Sequence, residues 1–464
     1  MESVFHRTYS IESQDLTCTI DTDIVADTRS CIERLADFCG DVYHTGQLVQ
    51  AKGNLYGLFN QVFNSQEPIQ KFSSLAITFH LVRNPKIMET FYRHQKSDEE
   101  GFFTISKNAY TEVFKDAFPS CNPLKDCILY CDKENSKRLR QAILSTISAK
   151  QLREQEFAFE EVLDQLKSKF FGKEINALEL TSTFTSAIIC KLAINYTATD
   201  MEEYYHIYNA VRIANEYPMM VVMKKWISTD DKKNYEDSIN ILKTIIEKVY
   251  EQDKNREGTF THCHLNQDFT EEEIKCTLLA MLMGGSETSA SILAYSLWQL
   301  GQKPDLQKQI IHALQHSLSE AEELIDRLFR ESMRLCPPAF MTVRTARQDL
   351  NVSVEKTDKT FKYTILKGEN IAFLHALAGQ EETGCDNPHE FDISHDNRFI
   401  LWKPFGGGKH LCPGQALVKQ EFKNLIKFII SECHVSSSPS TLTMKGTALT
   451  KTQEEIKCHL TLRE

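Results

Sequence analysis

Apolar residues recur at three- and four-residue intervals along several long stretches of the chain, with Glu, Lys and Gln between them. That period marks helices with one buried face. It is clear over Leu152 to Lys169 (LREQEFAFEEVLDQLKSK), Tyr235 to Gln252, Glu271 to Leu300 and Gly414 to Cys433. Strand patterns are short. One runs from Leu75 to Val82 and stops at the turn pair Asn84-Pro85; others are Asn351 to Glu355, Phe361 to Ile365 and Asn370 to Phe373. The polar stretch Lys254 to Asp268 predicts a surface loop. No repeat, low-complexity segment or Pro/Gly/Ser-rich linker divides the chain. The pattern therefore predicts a mainly α protein, one domain over residues 1–464, with a small β region.

Composition narrows the function classes. The 464 residues are 41% hydrophobic and 25% charged, and the formal net charge is −11. An acidic chain without a basic block is a poor nucleic-acid binder. No window holds the 18 or more apolar residues of a membrane span, and the N-terminus MESVFHRTYSIESQDL lacks the apolar core of a secretory signal. A cytoplasmic or membrane-peripheral protein is expected, and with it reduced thiols for the 14 cysteines. Cys121, Cys127 and Cys131 lack the paired short spacing of a zinc site.

One cysteine stands apart. In Phe405 to Gly414, FGGGKHLCPG, three glycines allow a tight backbone path beside a flat ligand. Cys412 then precedes Pro413, a suitable first residue for the helix that follows. A thiolate just before a helix N-terminus is favoured by the dipole and is a plausible ligand for a soft or intermediate metal. Elsewhere, Glu331 and Arg334 are three apart and share a helix face ahead of Pro337-Pro338. Gly284-Gly285 precede Ser286-Glu287-Thr288-Ser289 in mid-helix, where two glycines cost roughly 2 kcal/mol relative to alanine. A macrocycle packed on the helix, or a helix bulge, would compensate. Glu287 and Thr288 there could relay protons.

The spacing of Phe405, Gly408, Cys412 and Gly414 resembles the haem-thiolate signature of the cytochrome P-450 family. Glu331-x-x-Arg334, Asn387 to Phe391, Asp396 to Phe399 and the Glu287-Thr288 pair resemble further motifs of that family, and the likeness is firm over about 271–433. The resemblance implies a cytochrome P-450 fold with a long central helix over haem b, and Cys412 as axial ligand to the iron. It implies a buried network of Glu331, Arg334 and Arg398, and propionate contacts from Arg344 and Arg140. Where the family has arginine two residues before the cysteine, this chain has His410 with Lys409 beside it. Arg140 belongs alternatively to a solvated basic face with Lys137 and Arg138. Gly284 and Phe405 would line the haem.

The expected activity is insertion of one oxygen atom from dioxygen into a hydrophobic small molecule: a specialised metabolite, a sterol or terpenoid, or a fatty acid. The loop is similar to those of fungal specialised-metabolite members and of sterol-hydroxylase and prostacyclin-synthase relatives. Two alternatives stand beside it: a dioxygen-independent peroxide isomerase or dehydratase, and a non-enzymatic haem-binding protein. Lys419, Lys423 and Lys427 recur every four residues and form a helix stripe. They predict docking of an acidic electron donor, a ferredoxin, a flavodoxin or the flavin domain of a reductase.

Overall fold

The computed structural model describes residues 9–11, 16–21, 57–59, 67–74, 77–94, 103–105, 110–122, 126–129, 134–222, 228–356, 359–381, 387–395, 402–446 and 449–463. Its axis is the helix Glu271–Gln302. Thr270 opens it with a capping box: its side chain accepts from Glu273 N, and the Glu273 carboxylate accepts from Thr270 N at 2.9 Å. Past its acidic first turn nearly every residue is buried, so packing rather than one amphipathic face holds it.

Its main neighbour is the helix Ala177–Ala193. Two threonines of that neighbour donate to backbone carbonyls of the central helix, Thr181 to Ala290 O at 2.9 Å and Thr185 to Ser286 O at 2.8 Å. The helices Met201–Val222 and Thr229–Asp253 pack on each other and on the central helix. On the other side lie Leu318–Leu335 and Gln415–Glu432, with Phe329 and Phe422 ring centroids 4.9 Å apart.

The β structure is peripheral. A five-stranded sheet runs in the order Ile69–Ser74, Ile77–Val82, Asn370–Phe373, Thr342–Ala346, Phe103–Ile105. Its one parallel pairing sets Asn370 opposite Phe79 and Phe373 opposite Val82. A second sheet orders Tyr9–Ile11, Leu16–Asp21, Leu350–Lys356 and Lys359–Ile365. The hairpin Met444–Gly446 and Thr450–Thr452 reaches back toward the central helix.

The mainly α expectation holds, and three details differ. The stretch expected to be all loop contains the helix Phe260–Leu265, capped by Thr259 and followed by Phe269, whose buried ring meets His264 edge-on. The helix after Cys412 starts at Gln415 with Gly414 as its N-cap, so Pro413 lies in the turn before it. The thiols are not all free: Cys121 is joined to Cys276 across 155 residues of sequence, a pairing that spacing alone does not reveal. Cys127 is buried, and Cys131 lies outside the described residues. Among the described residues no helix is long and apolar enough to cross a membrane.

Candidate functional site

The cysteine loop is built on two left-handed glycines, Gly406 (φ 72°) and Gly408 (φ 65°), a backbone region that side chains resist. A single 3₁₀ turn, Gly408–His410, follows, and Cys412 N donates to Phe405 O at 3.0 Å to close the loop. The loop presses on the helix Pro85–His94: a Cβ on Gly407 would stand 2.9 Å from the Tyr92 ring. Cys412 is an exposed residue, although protein atoms crowd round its thiol. That crowding pushes the thiol up, and the Gly414 N–H and the positive charge of Arg140 pull it back. Phe405 packs on the core, its ring centroid 6.5 Å from that of Phe329. His410 is half-buried.

Arg140 thus acts on the cysteine, whereas Arg138 turns the other way. Arg138 pairs with Glu273 and lies 4.2 Å over the Phe269 ring. The solvated basic face is therefore corrected: on one helix, Glu134–Ile147, only Lys137 is fully exposed among the three.

Arg344 is a buried cation, 8% exposed, on the strand Thr342–Ala346. It donates to Val343 O at 3.0 Å, its Nε has no partner, and no carboxylate among the described residues pairs with it. Beside it stand Tyr92 and His375, both fully buried. His375 Nε2 lies 3.0 Å from Thr342 Oγ1 and 3.4 Å from Tyr92 Oη. Burial, and next the Arg344 charge, push the His375 ring down to about 4, so it is neutral at neutral pH. A buried guanidinium beside a neutral imidazole calls for an anion.

On the central helix the two glycines do different work. A Cβ on Gly285 would come within 2.6 Å of Ile189, so this glycine admits the neighbouring helix. A Cβ on Gly284 would meet nothing within 4 Å. Thr288, one turn on, keeps its side chain on the same face and donates to Gly284 O at 2.7 Å. The helix runs unbroken here, and the expected bulge is not formed. Glu287 points into a different set of partners. Its Oε2 accepts from Asn215 Nδ2 at 2.8 Å and its Oε1 lies 2.9 Å from Lys451 Nζ. Lys451 also bridges to Glu216, which accepts from Arg212 at 2.9 Å. Burial works against charge on Lys451, but Glu287 and Glu216 outweigh it and hold its pKa above the usual lysine value.

Glu331 and Arg334 form a buried bidentate pair at 2.7 and 2.8 Å. Arg334 also donates to Gly379 O, Pro388 O and Glu390 O, and Glu331 accepts from Asp392 N and His395. The meander after Asn387 is thereby tied to the helix. Arg398, Asp396, Asn397 and Phe399 lie outside the described residues, as does the side chain of Lys409. Sequence reasoning missed Tyr92, Asn215, His375, His395 and Lys451, which only the tertiary fold brings to these positions.

The residues fit a haem group on the structure's own terms. Cys412 offers a thiol, Arg344 and Arg140 supply cations, and Gly284 leaves the space that a flat ring needs. Beside the loop a groove of about 340 Å³ opens, lined by Glu89, Tyr92, Arg93, Lys403, Leu411 and Gln415.

Comparison with known proteins gives matches along most of the chain. The family model for cytochrome P450 matches residues 41–459. The chain is 25% identical over 186 residues to a sterol 14alpha-demethylase of Mycolicibacterium vanbaalenii, covering 36% of this chain and 39% of that protein. It is 22% identical over 332 residues to the putative cytochrome P450 YjiB of Bacillus subtilis, covering 68% and 77%. It is 27% identical over 196 residues to the beta-amyrin 11-oxidase of Glycyrrhiza uralensis, covering 36% and 38%. The first and third matches therefore span about two fifths of those relatives' lengths. Among solved structures, a cytochrome P450 (CYP102L1) aligns with a TM-score of 0.70 at 14% identity, over 88% of this chain and 98% of that one.

Proposed function

Because the chain belongs to the cytochrome P450 family, we propose that it is a haem-thiolate monooxygenase acting on a hydrophobic small molecule. The observation that carries this reading is Cys412, an exposed residue at the end of the closed glycine loop, under the influence of Arg140. Haem b bound there would supply the activation of dioxygen. Cys412 would hold it as a thiolate, and Arg344 and Arg140, with His410 and Lys409, would meet its carboxylates.

The remaining steps belong to the protein. Thr288 Oγ1 now donates to Gly284 O; turned from that carbonyl, it can pass a proton into the site. Glu287, next in the chain, is held by Lys451 Nζ 2.9 Å away and by Asn215. The ion pair therefore fixes where this carboxylate sits beside Thr288. The same geometry supports a second reading, a dioxygen-independent family member, since Glu287 is engaged by Asn215 and Lys451 and Thr288 by Gly284 O rather than by each other. Non-enzymatic haem binding is the third, and nothing in the site favours it.

Electrons would come from a separate acidic donor docking near Lys419, Lys423 and Lys427. Two of these are partly countered. Lys423 lies 2.6 Å from Glu322 and Lys419 lies 3.7 Å from Asp326. The groove beside the loop, with exposed Leu411 and Arg93, adds an apolar and cationic contact at the same end. A cytoplasmic or membrane-surface location, and a metabolite, sterol, terpenoid or fatty-acid substrate, stay part of this reading.

Turnover under isotope-labelled dioxygen tests it. Holoprotein with a supplied ferredoxin or flavodoxin and its reductase should place one labelled oxygen atom in each product molecule. Product formed without dioxygen consumption would establish the second reading instead.

A further inference from the structure

Away from the cysteine loop, the helix Pro304–His316 carries two histidines one turn apart, His312 and His316. Leu306, Gln307, Ile310 and Ala313 bury its inner face, and both histidines are exposed on the other. Residues four apart are neighbours on a helix surface. Here the two imidazoles stack, with ring centroids 4.2 Å apart and planes 19° from parallel.

The hydrogen bonding of the pair leaves a ring nitrogen for a ligand. His316 Nδ1 lies 2.8 Å from His312 O. A carbonyl oxygen only accepts, so Nδ1 carries the proton and the neutral ring keeps its lone pair on Nε2. Metal-ligating histidines are oriented in this way, by donating the second ring nitrogen to a carbonyl or carboxylate. The charge of the surroundings also suits a cation. The helix's lysine, Lys308, one turn before His312, is paired with Asp305 at 2.9 Å. His316 stands in the last turn, where the helix dipole favours positive charge.

We propose that His312 and His316 form a two-histidine site for one transition-metal dication of the Cu²⁺, Ni²⁺ and Zn²⁺ class. Imidazole nitrogen suits these ions, whereas Ca²⁺ and Mg²⁺ take oxygen ligands. Zinc–imidazole bonds are about 2.0–2.1 Å long, a reach that two stacked, exposed rings attain by a small tilt. Among the described residues no group of three or more His, Cys, Asp and Glu side chains is placed to hold a metal, so water completes the shell. The residue after His312 is Ala313, where the zinc-protease helix H-E-x-x-H has its general-base glutamate. The site therefore binds an ion without hydrolytic chemistry, and the ion fastens the last turn of the helix. Cu²⁺ should bind more tightly than Ni²⁺ or Zn²⁺. None of the residues assigned to haem takes part, so the site stands whether or not Cys412 is the haem ligand.

Calorimetric titration of untagged, chelator-treated holoprotein with Zn²⁺ and with Cu²⁺ tests the site. The wild type should bind one ion per chain through this pair, and excess Ca²⁺ or Mg²⁺ should not displace it. His312→Ala and His316→Ala should each weaken binding on the order of 100-fold, because the second ligand acts intramolecularly. The double variant should bind no more weakly than either single one. His206→Ala, which removes an exposed histidine from Met201–Val222, should bind as the wild type does. All four substitutions lie on exposed positions, and an unchanged haem spectrum and thermal midpoint without metal would show that the fold is kept. Unchanged affinity in either single variant, or a loss in His206→Ala equal to theirs, would overturn the proposal. So would single variants that each keep half of the bound ions, since that marks two independent histidines rather than one chelate.

Discussion

Lys451 Nζ stands 2.9 Å from Glu287 Oε1, so a hairpin near the end of the chain grips the acidic residue beside Thr288. The same lysine grips Glu216 on the helix Met201–Val222. Three separate elements are thus fastened at one nitrogen, next to the turn that carries Gly284 and Thr288.

Lys451→Met removes that fastening and leaves two carboxylates with less compensation. In the proposed monooxygenase, electron use should uncouple from product and peroxide should be released, as it should in Thr288→Ala. A relay group of this kind typically contributes about 10²- to 10⁴-fold. An unchanged ratio of product to reductant in Thr288→Ala would favour the dioxygen-independent reading. The pH response separates the two variants. Burial raises the Glu216 carboxyl, but Lys451 and Arg212 outweigh it and hold its pKa below the usual 4.5. The resulting stability is fully present above pH 4.5 and is lost as pH falls through the depressed value. Thermal denaturation across acidic pH should show less of this loss in Lys451→Met and all of it in Thr288→Ala.

Glu331→Ala strands Arg334 in a buried site together with three carbonyls that it serves. Removing one partner of a buried pair costs about 3–5 kcal/mol. Little folded holoprotein should be recovered, measured as haem per chain after gel filtration. Normal recovery would make the pair dispensable.

The adjacent glycines should respond oppositely. Gly285→Ala drives a methyl into Ile189, and such overpacking typically costs about 1–3 kcal/mol, partly offset by about 1 kcal/mol of helix propensity. Gly284→Ala meets nothing and keeps that propensity gain, but it should weaken haem binding if the ring lies on this face. Denaturant unfolding and haem titration of the two variants check the contrast, and Ile189→Ala should rescue Gly285→Ala alone.

Much of this was legible in the sequence. The cysteine loop could be read because its chemistry lies within ten consecutive residues, from Phe405 to Gly414. Glu331 and Arg334 could be read because a helix turn brings i and i+3 together. Lys451 and Glu287, or His375 and Arg344, are joined only by the tertiary fold, and no local period records them. Gly285 was misread for the same reason: its cause is Ile189, on another helix. The lysine stripe was legible, but its acidic partners Glu322 and Asp326 lie on a different helix.

That partial neutralisation sharpens the docking prediction. Changing Lys419, Lys423 and Lys427 together to Glu should slow first-electron transfer from an acidic donor and leave substrate binding alone. The wild-type rate should fall with rising salt, because exposed charges are screened over about 8–10 Å at moderate ionic strength. Stopped-flow reduction that ignores both salt and the triple change would move the donor off this face.

The haem-thiolate claim rests on one sulfur. The ferrous–carbon monoxide spectrum of the wild type should show the strongly red-shifted Soret band of thiolate ligation, and Cys412→Ser should abolish it. The other cysteines, changed singly to serine, should retain it. A Cys412→Ser variant that keeps the band would contradict the account.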